Sequence, residues 1–181
     1  NVMSKINFIQ LIPKLFVYGA YGMLSEMHYA IEKYHSDKIN QTVLSLQGRK
    51  HPNNYKFFDI PFKEINIKEL LSYIKNKYTN PVVFMHKIAS TDCVSVSNLL
   101  YKNIPFYIIN HTQSNIFRGL AKSDGIIAVS NHMGQCIKKE KRNYNNKVEV
   151  IRNGVNACRY KDIGPLEADS VKNFFVTGRM N

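Results

Sequence analysis

The chain has 181 residues, with 25 Lys and Arg against 13 Asp and Glu, for a formal charge of +12. Its 44% hydrophobic and 21% charged residues make an ordinary globular balance, which excludes a disordered tail, a collagen-like repeat and a disulfide miniprotein. The length suits one domain with a real core, and the positive excess points to an anionic partner: nucleic acid, a phosphate-bearing substrate or a membrane surface.

Short apolar, β-branched runs alternate with helix-patterned segments along the chain. Lys5–Ile12 reads as a first strand, and Gly22–Tyr34 has helical spacing, with Met23, Met27, Ala30, Ile31 and Tyr34 on one face. Thr42–Gln47 reads as a second strand and Phe57–Phe62 as a short third. Ile67, Leu70, Leu71, Ile74 and Tyr78 then recur at the spacing of an amphipathic helix. Pro81 opens the strand Val82–His86, and Asp92 can cap a helix to Lys102. Pro105 opens Phe106–His111; Gly125–Val129 is a continuous apolar strand; Ser130 can cap a helix to about Lys141. Lys147–Ile151 and Phe174–Thr177 complete the series. Strands apolar on both faces, separated by helices, predict an α/β fold with a Rossmann-like, doubly wound parallel sheet.

No apolar run reaches the roughly 18–20 residues that span a bilayer. The apolar segment from Ile6 to Ala20 is broken by Asn7, Gln10, Pro13 and Lys14, and no small-residue cleavage site follows it. The three cysteines, Cys93, Cys136 and Cys158, lie far apart without CxxC spacing. They predict reduced thiols rather than a disulfide framework or a zinc site. The six histidines are scattered, with no HExxH, and no metal is expected.

In doubly wound folds ligands bind at the carboxyl ends of the strands. His86 and His111 each end a predicted strand, where a neutral imidazole can hydrogen-bond a hydroxyl or assist proton transfer. Cys93 falls inside a helix pattern rather than on a nucleophile elbow. Gly19 and Gly22 fall between the first strand and the first helix, where glycine lets backbone N–H groups approach a phosphate. The run GAYG is neither a GxGxxG fingerprint nor a P-loop, and a plain turn is the alternative. Asn153 and Gly154 form a turn signal after a strand, and Arg179 follows Gly178 in the same position. Lys138, Lys139, Lys141, Arg142 and Lys147 form a basic run, readable as an anion or membrane patch or as a solvated helix face.

Taken in order, these segments resemble the N-terminal half of a GT-B fold glycosyltransferase of the group 1 type, family 4. The helix YGMLSEMHYAIEK, the strand VVFMH, the strand IPFYIINH, AKSDGIIAVSNHMGQCI, KVEVIRNGVNACRY and FFVTGR each look like a family element. The resemblance implies residues 1–157 as an N-terminal acceptor domain, with 158–181 as linker and first strand of a C-terminal donor domain that the chain lacks. It implies metal-independent transfer from a nucleotide-sugar to a glycan or lipid-linked acceptor in surface polysaccharide synthesis. No cofactor is implied beyond the nucleotide-sugar substrate, and this half alone is expected to be inactive. By the same resemblance His111 is the catalytic histidine; His86, Gly19, Asn153 and Gly154 line the acceptor cleft; Gly22 and Arg179 approach the donor diphosphate. Arg152 and Asn156 stand where the family has proline and aspartate. The expected location is cytoplasmic, peripheral to the inner face of a membrane.

A non-enzymatic basic α/β module binding nucleic acid is the alternative from another class, and a different Rossmann-like enzyme, such as a sugar epimerase, is a third. The aromatics fall in strands and amphipathic faces, and no RNP, KH or zinc-finger signature is present. The expectation is therefore no nucleic-acid partner.

Overall fold

A computed structural model describes residues 4–12, 19–46, 60–87, 92–111, 122–140 and 147–154. The order of elements is β1 (Ile6–Ile12), α1 (Gly19–Tyr34), β2 (Ile39–Leu46), β3 (Phe62–Ile65), α2 (Leu70–Lys77), β4 (Pro81–Lys87), α3 (Asp92–Leu100), β5 (Phe106–Asn110), β6 (Gly125–Ala128), α4 (Asn131–Glu140) and β7 (Lys147–Val150). The strands form one sheet in the order β3-β2-β1-β4-β5-β6-β7, and every pair is parallel. This is the predicted doubly wound architecture.

The two faces of the sheet are covered differently. Ile9, Leu11, Leu44, Val83, Met85, Phe106, Ile108, Ile126 and Ala128 form one face of the main core. Leu70 and Ile74 of α2, Cys93, Val96 and Leu100 of α3, and Met133 and Ile137 of α4 close it. Each helix contributes residues three, four or seven apart, the spacing that keeps side chains on one side of a helix. The opposite face carries a smaller cluster of Ile12, Leu24, Val43 and Ile60, with Leu24 supplied by α1. Right-handed crossovers account for this division: connections running from β1 toward β3 fall on one face, and those running the other way, from β3 back to β4 and on toward β7, on the other.

Local chemistry fixes the ends of several elements. Ser130 caps α4, its Oγ accepting from the Met133 N–H at 3.1 Å. Gly134 lets α4 approach β7 closely, because a Cβ there would sit 2.6 Å from Val150 Cγ2. Charged Lys63 and Glu64 on β3, and Lys147 and Glu149 on β7, occupy the two edge strands, where they discourage further strand pairing.

Some expectations shift. The short third strand is Phe62–Ile65, later than the sequence pattern suggests, and residues 57–59 lie outside the described set. The first helix begins at Gly19 rather than Gly22. Tyr34 is 62% exposed. It is the last residue of α1, and the Lys33 ammonium lies over its ring at 5.2 Å. The expected strand Phe174–Thr177, Cys158 and the whole 158–181 segment lie outside the described residues.

Candidate functional site

β1 and β4 are neighbours in the sheet, and the chain leaves β1 toward β2 but leaves β4 toward β5, in opposite directions. The crevice of a doubly wound sheet opens at such a switch point, at the carboxyl ends of the strands. His86, near the end of β4, and His111, just past β5, stand at that edge. Their strands pair with His86 opposite Ile109, so His111 sits two residues further along on the same face.

The two imidazoles meet. His86 Nδ1 is 3.1 Å from His111 Nε2, and the rings are inclined by only 10°. His86 is 1% exposed and His111 half-buried. Burial pushes the His86 pKa down to about 3, and the neighbouring His111 adds to the effect. Burial pushes His111 down to about 4. Both rings are therefore neutral at pH 7, and His111 is a weak proton acceptor. Hydrogen bonding to a hydroxyl suits it better than general-base catalysis, which works best with a pKa near the working pH.

A buried polar chain continues inward from the pair. His86 Nε2 lies 2.9 Å from Gln10 Oε1. Gln10 Nε2 donates to Gln41 Oε1 at 2.8 Å, and Gln41 Nε2 contacts His28 Nδ1 of α1. The route descends diagonally across β5, β4, β1 and β2 to α1. The residues Gln10, Gln41 and His28 were not among the sequence candidates. For Gln10 and Gln41 the only signal was polarity inside a strand, as in INFIQLI, and His28 gave none within its helix.

Beside this chain, on the same face, lies an apolar groove of about 390 Å³. Its floor is Phe8, Phe84, Ile109 and Ile127; Met23, Met27 and Ala30 of α1 form one wall, and Ile151, Arg152, Asn153 and Gly154 another. Phe84 stacks on Tyr107 with ring centroids 5.0 Å apart and meets Phe8 at 4.8 Å. Asn153 and Gly154 thus sit on the carboxyl side of the sheet with the histidines, as does Arg152. Neither Asn153 nor Gly154 adopts a positive φ, so the turn does not use the conformational freedom that the Asn-Gly pair offers.

Other candidates are placed differently. Gly19 and Gly22 belong to α1 rather than to the loop before it. A Cβ added at Gly22 would meet nothing within 4 Å, so close packing is no reason for glycine there. Lys138 and Lys139 are exposed in the last turn of α4, and Lys147 opens β7, paired with Glu149 at 2.8 Å. The pairing raises the Lys147 pKa and lowers that of Glu149. A helix-to-strand connection in a parallel sheet lies at the amino edge, so this basic patch is at the opposite end of the sheet from His86 and His111. Lys141, Arg142 and Arg179 lie outside the described residues.

No family model matches the chain, and no curated protein matches it. Solved structures do. An alpha-glucosyltransferase in complex with UDP and a 13-mer DNA containing a central A:G mismatch is similar with a TM-score of 0.54 and 11% identity, over 86% of this chain and 43% of its own. An alpha-glucosyltransferase in complex with UDP-glucose and DNA containing an abasic site gives a TM-score of 0.55 and 13% identity, over 85% of this chain and 44% of its own. The chain spans less than half the length of both structures. Both hold DNA, which overturns the expectation of no nucleic-acid partner. That exclusion rested on absent RNP, KH and zinc-finger signatures, and these two complexes show that a protein of this fold can be found with DNA. At 11% and 13% identity the likeness is one of fold: the chain has the Rossmann-like fold of one half of a GT-B glycosyltransferase.

Proposed function

We propose that the chain is the acceptor-side half of a glycosyltransferase that moves a sugar from a nucleotide-sugar to an acceptor, of the group 1, family 4 kind its sequence segments resemble. The His86–His111 pair at the carboxyl edge of this fold is the observation that carries the reading. His111 contacts a hydroxyl of the reacting sugar, and Gly22 and Arg179 approach the donor diphosphate. Asn153, Gly154 and the groove beside them receive the acceptor. The reaction is metal-independent, as the resemblance implies. In this reading the residues that stabilise a departing nucleotide diphosphate belong to a donor domain, and turnover requires both halves. Saturation-transfer NMR with UDP-glucose at millimolar concentration is the test. Sugar protons should receive saturation from the chain and lose it in His111→Ala. No transfer to the sugar in the unmodified chain sinks the reading.

The acceptor has two readings. A lipid-linked glycan at the inner face of a membrane fits a basic, peripheral protein. DNA is favoured by the +12 charge and by the DNA in both similar structures. Vesicle co-sedimentation that requires anionic lipid supports the first. A salt-dependent gel shift on duplex DNA, without vesicle binding, supports the second.

A further inference from the structure

We propose that Gln10 and Gln41 are positioning residues: their two amides impose one hydrogen-bond direction on the chain from His28 to His111 and so fix which nitrogen of each histidine carries its proton. Gln10 Nε2 donates to Gln41 Oε1, so Gln10 turns its Oε1 toward His86. An amide oxygen only accepts, and His86 Nε2 therefore holds the proton. In the neutral ring Nδ1 is then a bare acceptor, and His111 must donate to it from Nε2. That leaves His111 Nδ1 unprotonated at the half-exposed end of the chain, as an acceptor for a ligand hydroxyl. At the other end Gln41 Nε2 donates to His28 Nδ1, which puts the His28 proton on Nε2.

Every link in the chain can be reversed. Turning both amides over would invert each bond and convert His111 Nδ1 into a donor. The two Gln side chains thus decide between an acceptor and a donor at the site, although neither needs to touch a ligand. Gln10 is 0% exposed, so bulk solvent does not reach its amide.

The role assigned to a ligand hydroxyl rests on the sugar-transfer reading, but the tautomers do not. The test is two-bond imidazole 1H–15N NMR on the unliganded chain at pH 7.5. His86 and His111 should both be protonated at Nε2. In Gln10→Leu, His86 Nε2 faces an apolar group. A buried N–H without a partner costs more than a bare lone pair, so the proton moves to Nδ1 and His111 follows. Both tautomers should invert. In Gln41→Glu, whose carboxylate accepts from both sides, Gln10, His86 and His111 keep their state while His28 moves its proton to Nδ1. A His111 protonated at Nδ1 in the unmodified chain overturns the proposal. So does a His86–His111 pair unchanged in Gln10→Leu, or, if that variant fails to fold, a His28 unchanged in Gln41→Glu. None of these results bears on UDP-glucose saturation transfer, so failure here leaves the proposed function standing, and the converse holds.

Discussion

Acidification should destabilise this fold in a window that buried His86 and half-buried His111 define. A histidine in the unfolded chain titrates near 6.5, whereas His86 in the fold titrates near 3. Between those values the unfolded state binds a proton that the folded state refuses, so stability falls as the pH is lowered. The contribution is fully present above about pH 7.5, begins to fade through the unfolded value near 6.5, and is lost progressively toward the folded value. At pH 5 the unfolded histidine is about 1.5 units below its pKa. At roughly 1.4 kcal/mol per unit this is about 2 kcal/mol from His86 alone. His111, held near 4 by burial, adds a contribution of the same sign. Most carboxylates remain ionised at pH 5, so the window isolates the histidines. Urea unfolding at pH 8, 7, 6 and 5 gives the stability directly from midpoint and slope. In His86→Gln the pH slope should fall by about one proton across the window, whatever the baseline stability. A stability that stays level from pH 8 to 5 in the unmodified protein would refute the buried, neutral assignment.

Three further outcomes follow from features of α4 and its surroundings. Gly134→Ala should lower stability by about 1–3 kcal/mol through overpacking, despite a gain of roughly 1 kcal/mol in helix propensity. Combining it with Val150→Ala should recover part of that loss in a thermal melt, because the clash is with Val150 Cγ2 at 2.6 Å. Ser130→Ala removes the side-chain acceptor for the Met133 N–H and should cost about 1 kcal/mol in urea unfolding. Lys138→Glu with Lys139→Glu should weaken any binding to duplex DNA or anionic vesicles and flatten its salt dependence, while leaving UDP-glucose saturation transfer unchanged. Loss of that transfer would show that the amino-edge patch and the histidine edge are not separate.

The sheet was legible in the sequence because parallel strands buried on both faces read as continuous apolar runs. The helices were legible because residues such as Leu70 and Ile74, or Met133 and Ile137, recur at helical spacing. His86 and His111 were legible as strand ends, and a parallel sheet brings strand ends together. Gln10 was not. In sequence it merely interrupts an apolar run, and its meaning depends on β1 lying between β2 and β4, which local pattern does not encode. The location of the basic run was also readable, from a different signal. Lys138 to Lys147 bridges the end of α4 and the start of β7, and that connection lies at the amino edge of any parallel sheet. The signal was present in the order of elements rather than in the charges. Gly19 and Gly22 looked like a loop because glycine usually interrupts helices, yet α1 includes both.

The diagonal of polar side chains also bears on how the strands find their alignment. Shifting one parallel strand by two residues keeps every side chain on its proper face, so apolar contacts discriminate poorly against the slipped pairing. His86, Gln10 and Gln41 do not share that tolerance. Each has its partner on the neighbouring strand at a single offset, and a slip between β1 and β2 or between β1 and β4 would strand two polar groups at once. The chain of amides and imidazoles is in this respect a key for β1, β2 and β4, bought with some stability, as buried polar groups elsewhere set register. Replacing Gln10, Gln41 and His86 together by leucine should leave the protein at least as stable but with a second set of amide resonances in β4 from the slipped sheet. A single set would assign the register to the apolar packing alone.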